Sequence, residues 1–175
     1  MYNKLFNKIS IRGRIAYCIM CFESYTKIKY PNIDFNSVYK CMWNIVDDCD
    51  YIDNSAYKYM EIIPEYLYEF DSYETADFEY ISENEFFLFR SIINSSDEAL
   101  NTIMHCIYDI AMEYAYEAIH DYGKATFKYI SDVITILKEN KISLPDIDKV
   151  SSFTFDKFGG WGDFIKPDGL SQFIK

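Results

Sequence analysis

The chain has 175 residues, half of them apolar and 19% aromatic, and Tyr (17) and Phe (14) supply most of the rings. That length suits one domain with a core of its own, since a chain near 150 residues hides roughly two-thirds of the surface its unfolded form exposes. The net charge of -11, from 28 acids against 17 bases, argues against nucleic-acid binding, which needs Lys and Arg to displace counterions from phosphate. It suits a basic partner, or else it keeps a Tyr- and Phe-rich surface soluble.

Ser10 to Lys29 is the first expected helix, because Ile11, Ile15, Cys18, Ile19 and Phe22 recur at steps of three and four. Gly13 weakens it locally, and Pro31 stops anything that runs past Tyr30. Asp34 suits the N-cap of a second helix through about Asp48, with Phe35, Val38, Met42 and Ile45 or Val46 as its apolar stripe and Trp43 close by. A polar turn from Asp50 to Asn54 leads into a third helix ending near Ile63. Pro64 then opens a short helical turn, Glu65 to Phe70. Asp71 to Ser82 has no clean period and reads as a loop.

Ser82 and Glu85 form a capping box at the head of a fourth helix through about Ile93. Asn94 to Ser96 breaks it, and Ser96 is expected to cap a fifth helix with Asp97 and Glu98 in its first turn. Leu100, Ile103, Met104, Ile107, Ile110, Ala111, Tyr114 and Ala118 keep the helical period, which carries the fifth helix toward Gly123 as terminator. Lys124 to Asn140 supplies a sixth, with Phe127, Ile130, Ile134 and Leu137 facing inward. In the last stretch, about 153–175, Phe153, Phe155, Phe158, Trp161, Phe164 and Ile165 stand among Gly159, Gly160, Gly162, Pro167 and Gly169. An irregular tail folded onto the bundle is expected there. The sequence therefore predicts one all-α domain over residues 1–175, a bundle of about six helices.

Met1 to Arg14 has no apolar segment leading to a small-residue cleavage site, and no run approaches 18 apolar residues. Neither a secretory leader nor a membrane span is expected. Five cysteines without an export signal point to reduced thiols in a cytoplasm. Cys18 and Cys21 form C-x-x-C, but inside a helical pattern and without a second pair. Cys18, Cys41, Cys49 and Cys106 read as small apolar core residues.

Glu117-Ala118-Ile119-His120 is E-x-x-H on the expected fifth helix, with Glu113 one turn before it. Di-metal bundles use that spacing, but they need it twice, and Thr102 stands where the second copy requires Glu before His105. The other reading is ordinary polar surface at the end of an amphipathic helix. No Walker A, dinucleotide glycine pattern or nucleophile elbow occurs, so no cofactor and no catalytic group is expected.

Charge is unevenly placed. Residues 1–30 carry six bases and one acid, while residues 59–89 contain no Lys or Arg, nine acids and ten aromatics. Acids draw in a cationic surface from a distance, and tyrosines give rigid contact area at little entropic cost. The candidate partner-binding residues are Glu61, Glu65, Tyr66, Tyr68, Glu69, Asp71, Tyr73, Glu74, Asp77, Glu79 and Tyr80. Such a face suits the basic phosphate cleft of a nuclease. The rival reading is a solvated acidic face that partly pairs with the basic N-terminal helix.

Two short stretches carry a family resemblance: Ile11-Arg12-Gly13-Arg14-Ile15-Ala16 and Phe158-Gly159-Gly160-Trp161-Gly162-Asp163-Phe164. With a helical body between them, the chain resembles the small all-helical immunity proteins of bacterial polymorphic toxin systems. The resemblance implies a protein that binds the C-terminal domain of a cognate toxin and does no chemistry itself. The two other expectations left open are a metalloenzyme with a site near Glu113, Glu117 and His120, and a module that self-associates through its Tyr-rich surface.

Overall fold

Capping chemistry and apolar period set the helix boundaries in the computed structural model, which describes residues 2–47 and 52–175. The α-helices among the described residues number eight: α1 (Tyr2–Phe6), α2 (Ile11–Lys29), α3 (Asn36–Asp47), α4 (Ile52–Ile62), α5 (Pro64–Leu67), α6 (Glu83–Ile93), α7 (Glu98–Met112) and α8 (Phe127–Glu139). No strand occurs among the described residues, only an isolated antiparallel bridge between Ile9 and Thr154. The excess over six is α1, which the sequence did not announce, and α5, the turn expected after Pro64. The expected end of α3 at Asp48, the start of the polar turn at Asp50, and Cys49 lie outside the described residues. No helix of the described residues is long and apolar enough to cross a membrane.

α2 is the axis of the bundle. It is flanked by α3, α7 and α8, and every residue from Ile11 to Glu23 is buried. The sequence suggested one buried face; the structure covers this helix all round, as happens to a helix with apolar residues on every side. That burial takes two arginines inside. Arg14 is fully buried and has no ion pair among the described residues; its guanidinium donates only to oxygens. Nε reaches the Ile9 carbonyl at 2.9 Å, Nη2 the carbonyls of Phe6 (2.8 Å) and Tyr122 (2.7 Å), and Nη1 the Gly123 carbonyl (2.8 Å) and the Thr126 hydroxyl (3.0 Å). Desolvation lowers its pKa to about 10, with Tyr114 opposing, so at neutral pH a charge sits in the core held by carbonyl dipoles.

The largest departure from expectation lies here. The fifth helix was expected to run toward Gly123, but α7 ends at Met112. The irregular connection that follows turns the Tyr122 and Gly123 carbonyls toward Arg14. Both sit in the left-handed region, at φ 55 and 63. A Cβ on Gly123 would lie 2.6 Å from Arg14 Nη1. The helix start also shifts by one residue: Asp97, not Ser96, caps α7, accepting from the Leu100 amide at 2.8 Å. Tyr25 fixes that choice by donating to the other Asp97 oxygen at 2.8 Å. Asp34 sits outside α3 and accepts from the Asn36 amide instead of capping the helix interior.

The tail contacts α2 and the end of α3. The Ser10 amide donates to the Phe153 carbonyl, Arg12 to Trp161, and Ile165 to Val46. Arg12 Nη1 donates to the Gly162 carbonyl at 2.9 Å, and its guanidinium lies 4.5 Å from the Phe164 ring centre and 5.9 Å from that of Trp161. The two stretches that carry the family resemblance therefore clasp each other. Gly162, at φ +78, lies so close to the Ser10 side chain that no Cβ fits. Farther along, the buried Glu23 carboxylate accepts from Trp43 Nε1 (2.8 Å), the Gln172 amide (2.8 Å) and the Ser171 hydroxyl.

Cys18, Cys21, Cys41 and Cys106 are buried free thiols. Burial raises Cys41 from 9.0 to about 11 and Cys106 to about 12, and raises the Tyr39 phenol from 10.0 to about 12. The fold therefore holds more protons than the unfolded chain between about pH 9 and 12, and stability should fall as pH rises through that window. Arg14 works in the opposite direction, as one group against several. Urea midpoints should stay level between about pH 7 and 8.5 and fall above about pH 9; a level midpoint at pH 11 contradicts this. Separately, Arg14→Met should lower stability by about 3 kcal/mol or more, because several buried carbonyls lose their donor. A urea midpoint within error of the parent would show those oxygens find other partners.

Candidate functional site

The acidic segment has a small core of its own. Tyr66, Phe70, Tyr73, Phe78 and Phe86 pack as a ring cluster, with neighbouring centroids 5.3–6.3 Å apart. Turning these rings inward turns the intervening acids outward. Glu61 completes the support. It is only 2% exposed, and its carboxylate accepts the backbone amides of Glu79 (2.7 Å), Tyr80 (2.9 Å) and Ile81 (2.9 Å). Three successive amides thus bind one buried anion, and no cation is needed.

Two bases border the segment. Lys58 pairs with Glu85 at 2.7 Å, and Glu85 also closes the capping box on Ser82, so its pKa is lowered by these bonds against a desolvation that raises it. Arg90 donates to the carbonyls of Phe70 (3.2 Å) and Asp71 (3.1 Å) and packs between the Tyr68 and Phe86 rings at 4.8 and 5.0 Å. It braces the loop backbone without an ion pair to its acids. Among the described residues no ion pair joins residues 1–30 to residues 59–89. The expected alternative, in which the basic N-terminal helix partly neutralises the acids, gains no contact, since Arg12 and Arg14 are committed to carbonyls.

The eleven candidate residues divide accordingly. Glu65, Glu69, Asp71, Glu74, Asp77 and Glu79 are exposed, and so is Tyr68 at 41%. Glu65 also faces His105, 3.7 Å from Nδ1. Glu61 is a correction: it is an internal anchor and cannot meet a partner. Tyr66 and Tyr73 are half-buried in the ring cluster, with the Tyr73 hydroxyl donating to the Ile81 carbonyl at 3.1 Å. Tyr80 is half-buried and stacks on Tyr57 at 6.0 Å. The sequence reading counted Glu83 among the acids but did not single out Phe87 and Leu88; all three are exposed on α6. Their signal was present: Phe86 to Phe89 is a run of four large apolar residues, more than one face of a helix can bury.

The E-x-x-H reading loses its premise. Glu113 follows the last residue of α7, Glu117 lies in the irregular connection, and His120 has extended backbone, φ -107 and ψ 160. The three do not project from one helix face, and Glu113 accepts from the Tyr129 hydroxyl at 3.0 Å. Among the described residues no group of three or more His, Cys, Asp or Glu is placed to hold a metal ion.

Comparison with protein-family models, curated proteins and solved structures finds no match to this chain.

The role assigned to Glu61 has a local readout. Glu61→Ala should strip three amides of their acceptor and cost about 2 kcal/mol or more. Hydrogen exchange at Glu79, Tyr80 and Ile81 should accelerate well beyond the global change. Unchanged protection at those three amides would remove Glu61 from this role.

Proposed function

We propose that this protein is a non-catalytic inhibitor, of the immunity-protein kind, that neutralises a basic toxin domain by covering its active site or substrate groove. The observation that carries the reading is an acidic face that few bases neutralise. Of nine acids in residues 59–89, Glu61 is internal and Glu85 is paired, and the other seven are exposed. A dense field of one sign speeds encounter with a surface of the other sign. A nuclease is the favoured target class, since its phosphate cleft must be cationic to work. The resemblance of the two clasping motifs to those of helical immunity proteins supports the same reading, which implies action inside the producing cell.

The test is the association rate with the C-terminal toxin domain encoded by the neighbouring gene. Changing Glu69, Asp71, Glu74 and Asp77 together to Lys should slow association by about tenfold to a hundredfold at low salt, with the gap closing as salt rises. All four are exposed, so the fold should be retained. A variant that associates as fast as the parent at low salt would rule this face out.

A further inference from the structure

α6 carries two large apolar side chains that the described residues leave largely exposed. Its inner residues Phe86, Phe89, Ile92 and Ile93 are buried. Asn84, Phe87, Leu88 and Ser91 are all exposed, and their spacing of i, i+3, i+4 and i+7 is one outer helix face. Phe87 is 57% exposed and Leu88 42%. Tyr68 rests against the same helix, its hydroxyl donating to the Arg90 carbonyl at 3.2 Å. Exposed apolar residues scattered singly need no explanation; these adjoin within the stretch of chain that has no Lys or Arg.

Charge indicates what covers them. Glu69 and Asp71, on the loop that Arg90 braces, and Glu83, in the first turn of α6, are exposed around this face. A second copy of the chain would set like charges against each other, and an anionic polymer or membrane would be repelled. A cationic protein surface with an apolar recess is attracted by the rim and dehydrated at the centre. Resting on the function proposed above, we infer that Phe87 and Leu88, with Tyr68 beside them, form the apolar centre of the interface with a basic protein. The surrounding acids form its rim and steer the approach.

Rim and centre act on different rates, which makes the inference testable apart from its premise. Rim charges govern association and its salt dependence, whereas buried anchors govern dissociation. The Phe87→Ala/Leu88→Ala variant should be compared with the parent and with the four-acid reversal, all binding the neighbouring-gene toxin domain at two salt concentrations. Melting and sedimentation of each protein alone complete the set. The double variant should melt like the parent and bind at least about thirtyfold more weakly, nearly all of it in the dissociation rate, with the salt dependence of association unchanged. If the double variant binds like the parent while the four-acid reversal slows association, the acidic face stands and its apolar centre is overturned. A parent that does not bind the domain overturns both. A parent that sediments as a dimer, dissolved by the double variant, makes a second copy the occupant and overturns this inference.

Discussion

Arg14 brings a full charge into the centre of the bundle, and the fold meets it with carbonyl oxygens from two distant parts of the chain. They come from the end of α1 and the turn after it, and from the irregular connection between α7 and α8 at Tyr122 and Gly123. Within one helical turn of Arg14, Ser10 and Arg12 bind the tail at Phe153, Trp161 and Gly162. A charged pair would satisfy Arg14 more strongly, but a carboxylate beside it would also be desolvated. Carbonyls hold the charge while fixing the path of the backbone that supplies them.

Because Arg12 and Arg14 are spent on the N-terminal clasp, they do not neutralise residues 59–89. That segment holds its own backbone in place by other means: inward-facing rings, one buried carboxylate on three amides, and Arg90 on two loop carbonyls. None of these devices uses up an exposed acid. For the proposed partner, a face held in this way would lower the ordering cost of binding.

Where local chemistry dominates, the sequence was legible. Ser10 with the Ile11 stripe marked α2, and Ser82 with Glu85 marked α6, within a residue of their observed limits, while Pro64 marked the start of α5, which ends at Leu67 and not at Phe70. The irregular aromatic tail was also readable, since Phe and Trp among glycines need cover without a helix. What failed was decided by distant contacts. Tyr114 and Ala118 keep a helical period, yet α7 ends at Met112 and residues 122 and 123 turn into the left-handed region beside Arg14. Glu61 looks like any acid at a helix end until the loop 18 residues on closes over it. Tyr66 and Tyr73 belong to a cluster that exists only once Phe78 and Phe86 are brought together. Composition located the acidic segment, and only the fold separated its supports from its surface.

The account assigns the N-terminal and C-terminal motifs to holding the fold and the acidic segment to meeting a basic protein. Calorimetric titration of this protein with the neighbouring-gene toxin domain, at low and at high salt, tests that division most directly. The account predicts tight 1:1 binding that weakens markedly as salt rises. Absence of heat at both salt concentrations, or an affinity indifferent to salt, would contradict it.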